Sequence, residues 1–143
     1  MAMKPPAIGR PKPSSEAEQR YKADVELARH RGELLDAARK AETEFRAAQD
    51  RRAPDAEVRR LAEDLDAKLT AAMQAAYAAQ RAEIGPRGYD DRIFRRKAMA
   101  KPRVHALTAQ AEHLLTLRET HRLNDIPAVE FEPSPLMSPI AEI

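Results

Sequence analysis

The chain has 143 residues, 43% of them hydrophobic and 34% charged, with three Phe, three Tyr, no Trp and no Cys. Cysteine-free, it forms no disulfide and does no thiolate chemistry. Most of its apolar content is alanine, so a thin seam between helices is expected rather than a deep core. No apolar run approaches a membrane span, and the first 15 residues lack the apolar stretch of a secretory signal. The expected location is the cytoplasm or a virion, with no membrane contact.

Net charge is only +2 but unevenly placed. Residues 1–13 carry Lys4, Arg10 and Lys12 and no acid. Residues 81–103 carry eight basic residues against Glu83, Asp90 and Asp91. Residues 124–143 carry Asp125, Glu130, Glu132 and Glu142 and no base. A basic head, a basic waist and an acidic tail suit head-to-tail contacts between copies, or different partners at each end.

Residues 1–14 are expected to form an extended basic arm, because Pro5, Pro6, Pro11 and Pro13 exclude an amphipathic targeting helix. Gly9, Arg10, Pro11 and Lys12 resemble the AT-hook, a minor-groove motif with an Arg-Gly-Arg-Pro core. Ile8 stands where the first groove-inserting arginine belongs, so half of that chemistry is missing.

Residues 15–84 read as a helical hairpin. Ser15 and Glu18 form a capping box at its start. Up to Arg52 only Gly32 opposes a helix. Tyr21, Val25, Ala28, Leu35, Ala38, Ala41, Phe45 and Ala48 recur with near-heptad spacing. "RRAPDAEV" ends this helix near Arg52 and starts the next near Pro54, with Asp55 and Glu57 at the positive end of its dipole. A short connection favours an antiparallel hairpin over a kinked continuous helix.

The second helix, to about Glu83, carries Val58, Leu61, Leu65, Leu69, Ala72, Ala76 and Ala79 at helical spacing. Its alanine-rich half permits close approach by another helix or another copy. Residues 85–102 form a basic linker with a short helix, "DRIFRRKAMA". A third helix, 103–124, bears a stripe of Val104, Leu107, Ala111, Leu114 and Leu115. Residues 125–143 hold four prolines and read as an extended acidic tail, in which Val129 and Phe131 share one face. Such a stretch adds to a partner sheet or lies in a groove. The fold class is therefore all-α: a long antiparallel hairpin, a third helix and extended proline-rich arms at both ends.

Four histidines (His30, His105, His113, His121) show no metal-ligand spacing, and no nucleotide-binding or nucleophile-elbow motif is present. Carboxylates such as Glu63, Asp64 and Asp66 read as a solvated surface, with Asp64–Lys68 and Asp36–Lys40 as helical ion pairs. The expectation is a protein without catalysis, metal or cofactor.

The leading functional expectation is a structural or assembly protein bridging subunits of a larger complex, specifically a bacteriophage virion component of the head, neck or tail. Its partners are other protein subunits, as a homo-oligomer or within a hetero-assembly. The expected contact residues are Ile8 and Arg10 in the head arm and Tyr21, Leu35, Phe45, Leu65 and Leu69 on the seam. Val129, Phe131, Leu136 and Ile140 supply those of the tail. One alternative is a nucleic-acid-binding accessory or packaging protein. It would use Arg92, Arg95, Arg96, Lys97, Lys101 and Arg103, with Tyr89 and Phe94 as stacking platforms. Another is a coiled-coil regulator or inhibitor docking through its tail.

Overall fold

The structure, a computed structural model, describes residues 12–126. The expected contact residues Ile8, Arg10, Val129, Phe131, Leu136 and Ile140, and most of the AT-hook match, lie outside these residues. The described chain is all-helical: α1 (Ser15–Arg29), α2 (Arg31–Asp50), α3 (Asp55–Ile84), a single 3-10 turn (Pro86–Tyr89), α4 (Arg92–Ala98) and α5 (Pro102–Asn124).

Helix α1 begins one residue earlier than expected. Ser14, not Ser15, is the N-cap, and its Oγ accepts from the Ala17 N–H at 3.0 Å. Ser14 is the residue that leaves extended backbone (φ −64°, ψ 160°), which its hydroxyl needs to reach back to the first turn. The expected single helix from Ser15 to Arg52 is two helices. His30 (φ −89°, ψ 1°) interrupts it, and its N–H bonds to the Leu27 carbonyl at 3.1 Å in a tightened turn. Gly32, two residues on, is the weak helix former in the same turn.

Helix α2 closes with a Schellman motif. The Ala53 N–H reaches the Ala48 carbonyl at 2.9 Å and the Arg52 N–H reaches Gln49 at 3.1 Å. Arg52 takes the left-handed backbone (φ 53°) that this geometry requires. Gly85 performs the equivalent reversal after α3, at φ 99° and ψ 173°, a region open essentially to glycine.

Helix α3 is the axis of the molecule. It packs against α1, α2 and α5, while α4 and the 3-10 turn close one end. That position explains its alanines: Ala72, Ala75, Ala76 and Ala78 are all fully buried, on several faces of one helix. Small side chains let neighbouring backbones approach from more than one side, and burial is gained through many close contacts. The larger core residues are Phe45, Leu61, Leu65, Leu69 and Leu114, with Ala41, Ala48 and Ala111 filling the gaps between them. A second small cluster, Ile84, Ala98 and Val104, seats α4 with Phe94 and Met99.

His121 is the one buried polar side chain among the described residues, 4% exposed. Its Nε2–H donates to the Ala62 carbonyl at 2.7 Å, its Nδ1 faces Asp125 Oδ2 at 3.0 Å, and the ring meets Phe45 edge-on at 5.3 Å. His121 is thus a core residue whose polar atoms are satisfied inside the fold. The signal was present in the sequence, since 121 lies two turns beyond Leu114 on the same apolar stripe. No described helix is long and apolar enough to cross a membrane.

Candidate functional site

Charged side chains gather at the end of the molecule where α3 finishes and the 3-10 turn follows. The chain must reverse there, and it does so with a salt-bridged joint. Arg81 of α3 donates to Asp24 of α1 through Nε (2.8 Å) and Nη2 (3.1 Å), and the Tyr89 hydroxyl donates to the same carboxylate. Burial opposes ionisation of Asp24, but the hydrogen bonds from Arg81 and Tyr89 and the Arg81 charge outweigh it and hold the carboxyl below its ordinary range. Burial and the bond to Asp24 push the Tyr89 phenol well above its ordinary value. The bond to Asp24 likewise raises the Arg81 guanidinium.

Asp90 and Asp91 anchor the neighbouring segments. The Ser14 N–H and hydroxyl both donate to the Asp90 carboxylate, at 2.8 and 3.1 Å, so the start of α1 is tied to the end of the 3-10 turn. Asp91 caps α4 by accepting from the Phe94 N–H at 2.9 Å, and that bond, with the nearby Arg87 charge, lowers its pKa. Gly88 sits against Ile84: a Cβ there would come 2.5 Å from Ile84 Cγ2. The turn therefore lies close on the end of α3, and α4 projects from it.

Between these elements runs a broad groove of about 1150 Å³, large for a small-molecule site. Six cationic side chains line it, Lys12, Arg81, Arg87, Arg92, Arg95 and Arg96, against only two carboxylates, Asp90 and Asp91. Arg92, Arg95 and Arg96 are exposed and share one face of α4, as i, i+3 and i+4 spacing dictates. Arg92 and Arg96 make no hydrogen bond or ion pair with the described residues, whereas Arg81 is committed to Asp24 and Arg87 to Asp91. Three apolar side chains accompany the charge: Pro13, Ile93, 68% exposed, and Met99.

The structure thus gathers three of the six expected basic residues with three others. Lys97, Lys101 and Arg103 are exposed but outside the groove lining, and Arg103 pairs with Glu83 at 3.1 Å. Arg81 and Arg87 already belonged to the basic segment. Lys12 reaches the groove only through folding. The expected stacking aromatics are occupied internally: Tyr89 on Asp24, and Phe94 half-buried beneath the Arg87 guanidinium at 4.7 Å.

The expected seam residues divide by depth. Phe45, Leu65 and Leu69 are buried within the chain, and Tyr21 and Leu35 are half-buried. Leu65 and Leu69 also floor a second cavity of about 220 Å³ between α2 and α5, beside Leu117 and His121. No group of three or more metal-ligating side chains is found among the described residues.

The comparisons with known proteins find no match for this chain: no family model, no curated protein and no solved structure.

Proposed function

We propose that the protein is a non-catalytic assembly protein whose basic groove holds an acidic, partly apolar segment of a partner subunit. The helical body acts as a long hairpin that spaces this groove from the acidic tail, and the proline-rich arms make the remaining contacts. A particle such as a bacteriophage virion is the setting that such arms suit.

One observation carries the reading: six cations and three apolar side chains line a single groove that contains only two carboxylates. A peptide with alternating acids and apolar residues matches both features. Nucleic acid is the second reading, favoured by the same arginines. As a surface for single strands the site offers less, because Tyr89 and Phe94 are engaged inside the fold and unpaired bases would lack a stacking surface.

The test titrates the full chain with a labelled poly-glutamate peptide and, separately, with a duplex DNA of mixed sequence, at low salt. The expected result is peptide binding that weakens at least about tenfold in Arg92→Glu/Arg95→Glu/Arg96→Glu and that falls with added salt. Duplex binding tighter than peptide binding, lost in the same variant, replaces the assembly reading with the nucleic-acid one.

A further inference from the structure

We propose that the occupant of the basic groove is the acidic tail of a second copy of this chain, so that molecules join groove to tail. The inference rests on the reading of the groove as a site for acidic segments and adds the identity of the partner.

Three observations support it. The chain itself contains a segment of the required chemistry: "VEFE", residues 129–132, alternates Val129 and Phe131 with Glu130 and Glu132, in a tail without a single basic residue. Its acids match the α4 arginines, and its apolar side chains match Ile93 and Met99. The tail also departs from the far end of the molecule. Helix α5 starts at Pro102, shortly after α4, and runs to Asn124, where His121 and Asp125 lie beside Ala62 and Arg46.

The geometry then favours a neighbour's groove over the chain's own. From Pro102 to Asn124 a helix advances about 33 Å. Glu130 and Glu132 lie six and eight residues past Asn124, so even a fully extended chain carries them at most about 22 and 29 Å back. Glu130 therefore falls short of the α4 arginines of its own chain, and Glu132 approaches them only along a straight, fully extended path, whereas a neighbour's groove sets no such limit. Such a contact is heterologous: every bound copy leaves one groove and one tail open, so association continues until a ring closes or a filament grows.

The experiment uses the full chain and two charge-reversed forms. One carries Arg92→Glu/Arg95→Glu/Arg96→Glu, the other Glu130→Lys/Glu132→Lys. Sedimentation velocity at rising concentration is expected to show wild-type mass climbing above the 16.0 kDa of one chain and returning to it at high salt. Each reversed form alone should associate at least about tenfold more weakly. An equimolar mixture of the two should associate again, because each then offers the groove that fits the other's tail. Circular dichroism at 222 nm establishes that both forms remain helical, as expected for the groove form from the exposure of its three arginines. A wild-type chain that stays at one-chain mass at every concentration overturns the proposal, as does a mixture that fails to associate. If wild type stays monomeric while poly-glutamate still binds the groove, only the identity of the partner falls. If neither occurs, the groove reading falls with it.

Discussion

Replacing Phe45 with alanine tests the central claim about packing. Phe45 is 0% exposed and lies between α2, the start of α3 and His121 of α5. An aromatic side chain buries about 150–250 Å², which at about 25 cal/mol per Å² is worth about 4–6 kcal/mol of transfer free energy as an upper bound. Alanine retains part of that area, and incomplete collapse around the cavity adds to the loss. The expected destabilisation is about 3–5 kcal/mol, a large share of the roughly 5–15 kcal/mol of a typical domain. Urea unfolding followed at 222 nm should show a midpoint lower by about 2 M, taking a slope near 2 kcal/mol per M.

The edge-on contact to His121 adds a second, independent quantity. In a double-mutant cycle with His121→Ala, the coupling should be about 0.5–1.5 kcal/mol. Leu123→Ala, at a position 83% exposed, should change stability by no more than about 0.5 kcal/mol. A Phe45→Ala loss below about 1 kcal/mol, or no coupling to His121, would refute the packing of α2 and α5 about the start of α3.

Three further outcomes follow from the joint beside the groove. The Asp24 carboxyl is held below its ordinary value, so its contribution to stability is complete above the unfolded-state pKa near 3.9 and is lost as pH falls through the lower native value. Asp24→Asn should therefore cost about 1–3 kcal/mol at neutral pH, and the gap from wild type should narrow below about pH 4 in acid titrations of urea stability; a gap independent of pH refutes the ionised pairing. Gly88→Ala places a Cβ against Ile84 and should cost about 1–3 kcal/mol, with Ile84→Val/Gly88→Ala recovering little, because the Ile84 Cγ2 methyl that it meets remains in valine. Equal thermal stability of wild type and Gly88→Ala would show that the turn does not lie so close. Ser14→Ala removes the cap of α1 and the hydroxyl bond to Asp90 and should cost about 0.5–2 kcal/mol, measured by thermal melts; an unchanged melting temperature contradicts the capping role.

Much of the helical layout was legible from the chain because its causes are local. Pro54 with Asp55, Gly85 with Pro86, and Pro102 each alter the backbone choices of their own neighbours, and helices change at all three places. Arg92, Arg95 and Arg96 share a face by helical spacing alone. The differences arise where the local pattern leaves the choice open. Ser14 and Ser15 are both competent caps, and the backbone at Ser14, tied to Asp90 76 residues away, decides between them. His30 carries no breaking signal of its own.

Burial and the groove belong to the tertiary structure. A run such as Ala75, Ala76 and Ala78 has one composition whether it faces water or three helices, and only the central position of α3 makes every one of them core. Tyr89 and Phe94 look like free aromatics until Asp24 and Arg87 arrive from elsewhere. Lys12 and Arg96 are 84 residues apart in the chain and line one groove in space. Helix propensity and capping act within a few residues, so sequence determines them directly. Charge convergence and desolvation depend on which distant side chains become neighbours, and only packing decides that.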